Sequence, residues 1–120
     1  MPTILVVDDN ADVRDAIEAF LKTREYVVLS YADAAPALEE VDFNNIDLIL
    51  TDLQMPTSGD QFILLLAQKK ITVPIIVMSG FLSEEHIAYL ADLGVRKTLA
   101  KPVRMSELLQ EVEAILIAED

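Results

Sequence analysis

Five short runs of aliphatic and β-branched residues punctuate the chain: Thr3–Val7, Val27–Tyr31, Leu48–Thr51, Pro74–Met78 and Val95–Ala100. None shows the polar–apolar alternation of a sheet with one wet face, so each reads as a strand buried on both faces. Between the runs the period changes. Val13, Ile17, Phe20 and Leu21 recur at i, i+4, i+7 and i+8, which makes one apolar stripe on a helix. Shorter stripes follow: Ala34, Ala37, Leu38 and Val41; Phe62, Leu65, Leu66 and Lys69; Ile87, Leu90 and Ala91; Leu108, Val112, Ile115 and Leu116. Ser83 with Glu84, Glu85 and His86, and Ser106 with Glu107, supply N-terminal caps or first-turn acids. Gly94 stands where a helix stops.

The pattern is a βα unit repeated five times. Strands of this kind alternating with helices imply a doubly wound parallel sheet, because right-handed crossovers lay helices on both faces. In such sheets ligands bind outside the carboxyl ends of the strands, where strand order reverses. With 120 residues the chain makes one domain, 1–120. A chain of this size buries about two-thirds of its unfolded surface, enough to fold without disulfides or metal.

Composition narrows the function classes. Nine Lys and Arg stand against 21 Asp and Glu, for a net charge of −12, so direct nucleic-acid binding is not expected. There is no Cys and one His, which removes thiol chemistry and any multi-His metal site within the chain. The longest apolar runs, Phe62 to Ala67 and Val73 to Met78, are too short to cross a membrane. The start, Met1-Pro2-Thr3, has no basic region, and Ile4 to Val7 runs straight into Asp8-Asp9. A cytoplasmic protein with no membrane insertion is the expectation; Met1 leans towards a natural N-terminus, and whether the chain stands alone or belongs to a longer protein is open.

The five strand exits carry Asp8-Asp9, Ala32-Asp33, Asp52, Ser79-Gly80 and Lys101-Pro102. Singly, each is an ordinary turn or cap residue. Jointly they put acids, a hydroxyl and an amine at one end of one sheet, and crowded carboxylates destabilise a fold unless something neutralises them. An oxygen-only set without His or Cys suits a hard cation, most simply Mg²⁺. The lysine and the hydroxyl then stand ready for the oxygens of an anion.

The runs Ile4-Leu5-Val6-Val7-Asp8-Asp9, Leu48-Ile49-Leu50-Thr51-Asp52-Leu53-Gln54-Met55-Pro56, Pro74-Ile75-Ile76-Val77-Met78-Ser79-Gly80 and Lys101-Pro102 resemble the receiver domain of two-component response regulators, in the family's order and approximate spacing. The resemblance covers the whole chain. It implies a flavodoxin-like (βα)5 fold with strand order 2-1-3-4-5. It also implies that Asp52 accepts a phosphoryl group from a histidine kinase or histidine phosphotransfer protein. Asp9, Asp52 and the Gln54 backbone carbonyl would ligate Mg²⁺, and Asp8 would hold a metal-bound water. Ser79 and Lys101 would bind phosphoryl oxygens, and Pro102 would follow a peptide bond that is often cis in this family. Such a domain catalyses only its own phosphorylation and dephosphorylation, and signals through a changed protein surface to an output partner that the sequence does not name.

The chain departs from the family pattern in three places. Thr98 stands three residues before Lys101, where the family usually has an aromatic residue. Only Thr57 and Ser58 separate Pro56 from Gly59, one residue fewer than usual. Ser79 replaces the commoner Thr. The metal acids and the lysine are untouched, so phosphorylation chemistry is expected and the mode of signalling is open. Phe81, two residues past Ser79, is the nearest substitute for the missing ring.

Other features read as structural: His86 as a solvated or capping residue, the acidic stretch from Glu111 to Asp120 as an exposed helix face, and Met55, Met78 and Met105 as packing. Three alternatives compete with this reading. A haloacid-dehalogenase-type phosphatase would want an acid two residues after Asp8, where Asn10 stands, and a cap for which the chain has little room. A pseudo-receiver that only binds proteins is disfavoured by the intact acids and Lys101. A flavin domain would want Gly, Ser or Thr in the first loop, where Asp8-Asp9-Asn10 stands.

Overall fold

In the computed structural model, which describes residues 1–118, the aliphatic runs form five strands and the periodic segments five helices. In chain order these are β1 (Thr3–Val7), α1 (Ala11–Lys22), β2 (Val27–Tyr31), α2 (Ala34–Glu40), β3 (Leu48–Asp52), α3 (Gly59–Gln68), β4 (Ile75–Ser79), α4 (Glu84–Asp92), β5 (Val95–Ala100) and α5 (Met105–Ala118). A short 3₁₀ turn at Phe43–Asn45 leads into β3. The strands form one parallel sheet in the order β2-β1-β3-β4-β5. This is the flavodoxin-like arrangement.

Because side chains alternate across a strand, the aliphatic runs feed two cores at once. Leu5, Val7, Ile49 and Val77 pack with Phe62, Ile63 and Leu66 of α3, Ala34 and Ala37 of α2, and Leu90 of α4. Ile4, Val6, Leu48, Leu50, Ile76 and Met78 pack on the other face with Ile17 and Leu21 of α1 and Leu108, Val112 and Ile115 of α5. Each buried Val, Leu, Ile, Phe or Met side chain among them contributes about 1.5–3 kcal/mol relative to exposure.

The expectation of strands buried on both faces holds for β1, β3 and β4. It fails at the edges. β2 leaves Val27 at 41% and Leu29 at 38% exposure, and β5 exposes Arg96 and Lys97. Strand order explains this, since an edge strand has a neighbour on one side only and is incompletely covered by helices. An extra residue, Arg96, lies in β5 between the pairs Ile75–Val95 and Ile76–Lys97, a β-bulge on that outer edge.

The helix stripes differ in smaller ways. α4 buries Leu90 alone, with Ile87 and Ala91 exposed, and α3 buries Phe62, Ile63 and Leu66, leaving Leu65 half-buried and Lys69 exposed past its end. Ser83 caps α4 by accepting from the His86 amide, and Gly94 follows α4 at φ +107°. α5 starts at Met105, so Ser106 falls inside its first turn with Glu107 and is not the cap. Of the acidic stretch, Glu113 is exposed while Val112, Ile115 and Leu116 are buried; Glu119 and Asp120 lie outside the described residues.

Candidate functional site

Strand register builds the site. The β1–β3 ladder ends at Val7 opposite Thr51, so the next residue on each strand, Asp8 and Asp52, leave the sheet side by side. Asp8 is still tied to the sheet by its amide, which donates to the Tyr31 carbonyl at 3.1 Å. One strand further, Asp52 is opposite Met78, and Ser79 ends β4 beyond it. The Lys101 amide donates to the Ser79 carbonyl at 2.8 Å, which brings the end of β5 to the same edge. Four of the five strands thus deliver their C-terminal polar residues to one place, as the doubly wound topology requires.

Asp8, Asp52 and Ser79 are buried and Asp9 is exposed. Lys101 Nζ donates to Asp52 Oδ2 at 3.0 Å and to Asp8 Oδ2 at 3.2 Å. The other oxygen of each buried carboxylate is held by backbone. Asp52 Oδ1 accepts from the Leu53 amide at 2.7 Å and the Gln54 amide at 3.2 Å, and Asp8 Oδ1 accepts from the Asn10 amide at 2.9 Å. Arg14 Nη1 donates to the Asp8 carbonyl at 2.7 Å, which ties the first turn of α1 to the end of β1.

Three carboxylates face one ammonium. Burial alone would pull Lys101 down, but its hydrogen bonds to Asp52 and Asp8, together with their charges, outweigh that and hold it above the ordinary lysine value. One oxygen from each of Asp8, Asp9 and Asp52 lies within 4.8 Å of the others. The donor set is oxygen only, with one charge exposed to water, which fits a small hard cation that keeps several of its waters. It fits neither a thiolate nor an imidazole metal site.

The remaining sequence candidates lie around this centre. Gln54 is exposed on the loop after β3, with its amide on Asp52 as above. Pro102 follows a cis peptide bond from Lys101. Gly80, Phe81 and Thr98 are set apart from the acids, on a pocket of about 280 Å³ that Ser79, Leu82, Ile87, Leu99 and Ala100 also line. Asn10 caps α1, its Oδ1 accepting from the Asp12 and Val13 amides at 3.0 and 3.2 Å. A mainly apolar groove of about 540 Å³ runs beside Lys101 between α1 and the segment before α5, floored by Val13, Ile17, Met78, Val103 and Met105.

Sequence reasoning missed two cross-element ties near the site. His86 Nε2 pairs with Asp60 Oδ1 at 2.5 Å, joining α4 to α3, in place of the solvated or capping role that the sequence implies for this histidine. Asp33, read only as part of a plain turn, accepts from both the amide and the hydroxyl of Thr57, each at 2.8 Å. Neither partner is signalled by spacing, because each pair is closed by strand order.

A doubly wound parallel α/β domain with paired acids, a further acid, a hydroxyl and a lysine on successive strand ends defines a class of phosphoryl-accepting signalling modules. Comparison with known proteins agrees. The model of the response regulator receiver domain matches residues 4–113, and the chain belongs to that family, the receiver domains of two-component response regulators. It is 34% identical over 113 residues to Regulatory protein VanR of Enterococcus faecium, covering 94% of this chain and 49% of that protein. It is 31% identical over 115 residues to the CAI-1 autoinducer sensor kinase/phosphatase CqsS of Vibrio cholerae, covering 92% of this chain and 17% of that protein. The solved receiver domain of the Francisella response regulator 1452 superposes with a TM-score of 0.92 at 26% identity, covering 100% of both chains. The chain spans about half the length of the regulators among the first curated relatives it matches.

Proposed function

We propose that Asp52 is the phosphoryl acceptor of this receiver domain, charged by a phosphohistidine on a histidine kinase or phosphotransfer protein. The observation that carries the reading is Asp52 itself, a buried carboxylate at a strand end with a lysine ammonium 3.0 Å away and two further acids in reach. A carboxylate attacking an anionic phosphoryl group needs its charge offset first, and the rest is placement. The Leu53 and Gln54 amides orient Asp52 through Oδ1. An oxygen of Asp52 forms the new P–O bond as the P–N bond to the donor imidazole breaks, and Lys101 can leave the carboxylate to neutralise a phosphoryl oxygen. Ser79 offers its hydroxyl to another.

Asp9, Asp52 and the Gln54 carbonyl are the residues that would hold Mg²⁺, with Asp8 on a bound water. Mg²⁺, when bound, supplies charge neutralisation for the phosphoryl oxygens. The apolar groove beside Lys101 offers the phosphodonor protein a contact surface next to the acceptor. The signalling output would be a changed surface for a further protein or domain in the cytoplasm.

Membership of the family displaces the phosphatase alternative, and Asn10, where that chemistry would want an acid, caps a helix. The test is labelling with acetyl phosphate and Mg²⁺, read by mass spectrometry of the intact chain. Wild-type protein should gain one alkali-labile phosphoryl group and Asp52→Asn none. Wild-type labelling of Asp52→Asn would exclude Asp52 as the acceptor.

A further inference from the structure

We propose that Asp33 is a positioning residue for phosphorylation, holding the loop between β3 and α3 in the shape that presents Gln54 to the cation. The inference rests on the phosphoacceptor reading of Asp52. The loop comprises residues 53–58 and is pinned at both ends. At its start, the Leu53 and Gln54 amides are committed to Asp52 Oδ1. At its end, the Gly59 amide donates to the Leu53 carbonyl at 2.9 Å, and Ser58 caps α3 by accepting from the Asp60 amide at 3.2 Å. The crest, Met55 to Thr57, is tied through Thr57, and both of those bonds run to Asp33 on a different βα unit. One carboxylate oxygen takes the amide and the other takes the hydroxyl, so the grip fixes the backbone and the side chain of Thr57 together.

Asp33 forgoes something to do this. It occupies the N-cap position of α2, where an Asp ordinarily accepts from the helix's own first amides, yet it makes no well-formed capping hydrogen bond, and the Ala34 and Ala35 amides act on it less than Thr57 does. Pro36, third in the helix, has no amide to offer, which removes one of the two usual targets. The carboxylate turns to Thr57 instead. Burial would raise its pKa, but the hydrogen bonds from the Thr57 amide and hydroxyl, with lesser contributions from the Ala34 and Ala35 amides, outweigh that and hold it below the ordinary carboxylate value, in keeping with an ionised clamp. The short loop makes such a clamp effective: with its ends fixed, displacing Thr57 must carry Pro56, Met55 and the Gln54 carbonyl along.

The experiment compares wild type with Asp33→Ala, Thr57→Val and Thr57→Ser. Three quantities are read: amide exchange of Gln54, Met55 and Thr57 in EDTA, Mg²⁺ affinity by calorimetry, and the acetyl-phosphate labelling rate at saturating Mg²⁺. Asp33→Ala should speed loop exchange ten-fold or more, weaken Mg²⁺ at least five-fold and slow labelling. Thr57→Val, which keeps the amide bond and loses the hydroxyl, should show the same changes at two- to three-fold. Thr57→Ser, which keeps both bonds, should match wild type. An Asp33→Ala protein of lower melting temperature but wild-type Mg²⁺ affinity and labelling would overturn the proposal, and if that variant does not fold, unchanged Mg²⁺ affinity in Thr57→Val does so. An Asp52→Asn control that still labels removes the phosphoacceptor reading and this inference with it; a silent control beside a wild-type-like Asp33→Ala removes this inference alone.

Discussion

Lys101 Nζ bridges Asp52 and Asp8, at 3.0 Å from one carboxylate and 3.2 Å from the other, so the lysine proposed to receive a phosphoryl oxygen is already engaged before any phosphoryl group arrives. The ammonium neutralises the carboxylates and opposes the cation that would join them. Lys101→Met should therefore have two opposite effects. The metal-free protein should lose about 1–3 kcal/mol, less than the loss from a fully buried pair because the lysine side chain is 25% exposed. Mg²⁺ should bind about ten-fold more tightly, since removing one positive charge a few Å from a divalent ion is worth about 1–2 kcal/mol even at high dielectric. Urea unfolding in EDTA and calorimetric titration measure the two effects, and weaker Mg²⁺ binding in the mutant would contradict the arrangement.

Asp9 is the exposed member of the acidic trio, so it adds repulsion without being locked into the fold. Mg²⁺ binds the folded cluster and should raise the melting temperature by mass action. In Asp9→Ala most of that Mg²⁺-dependent rise should vanish, while the metal-free melting temperature should equal or exceed that of wild type. Melting curves with and without Mg²⁺ decide it: a full Mg²⁺ shift in Asp9→Ala would move the site elsewhere.

The chain's continuous aliphatic runs made the five strands readable, and the residues ending them made the acidic cluster readable, because burial pattern and strand-end chemistry are both local in sequence. What could not be read depends on who sits next to whom. Exposure of Val27 and Leu29 follows from β2 lying at an edge, a property of strand order that no residue of β2 encodes. The ties Asp33–Thr57 and His86–Asp60 span 24 and 26 residues across different βα units. Gly59 was noted only for the shortness of its loop, and the contact that demands a glycine there is with the strand before it.

That contact yields a contrast between two glycines of the site loops. A Cβ on Gly59 would lie 2.4 Å from the Asp52 carbonyl oxygen and 2.6 Å from Leu53 Cα, both backbone atoms that cannot step aside. A Cβ on Gly80 would meet nothing within 4 Å. Gly59→Ala should cost about 1–3 kcal/mol as an overpacked site. Gly80→Ala should stay within about 0.5 kcal/mol of wild type, as surface changes do. Denaturant unfolding of the two variants checks this; equal stability for both would show that the β3–α3 junction yields more readily than its packing implies.

The depressed pKa of Asp33 carries a pH signature. A carboxyl lowered in the fold contributes stability that is complete above its unfolded value, near 3.8, and is lost as pH falls through the lower folded value. Asp33→Asn should therefore be less stable than wild type at neutral pH, with the deficit narrowing as the solution is taken below that ordinary value. Urea titrations from pH 7 to pH 3 would read it, and a deficit that stays constant throughout would mean that the carboxylate charge plays no part.

Phe81 is 83% exposed beside a pocket that Thr98 also lines, which places a large free ring next to a space that a small side chain leaves open. In the family pattern an aromatic stands at the position of Thr98 and is thought to turn inward as the hydroxyl at the Ser79 position moves towards the phosphoryl group. Thr98 has no ring to turn. A ligand shifts a conformational equilibrium only through a difference in interaction between the two states, and a ring moving from water into an apolar pocket provides one where a methyl and a hydroxyl provide little. Gly80, between Ser79 and Phe81, has open space where a Cβ would be. Beryllofluoride with Mg²⁺ should thus draw Phe81 inward and alter amide exchange in α4 and β5. Thr98→Ala should change the energy of that response by less than about 1 kcal/mol, the scale of one hydrogen bond. Phe81→Ala should remove more of it, and Thr98→Tyr, by filling the pocket, should compete with Phe81 for the space. The measurement is amide exchange with and without beryllofluoride for the three variants, each first shown to bind Mg²⁺ normally. If Thr98→Ala abolishes the response while Phe81→Ala preserves it, the coupling runs through Thr98 and the ring at Phe81 is a bystander.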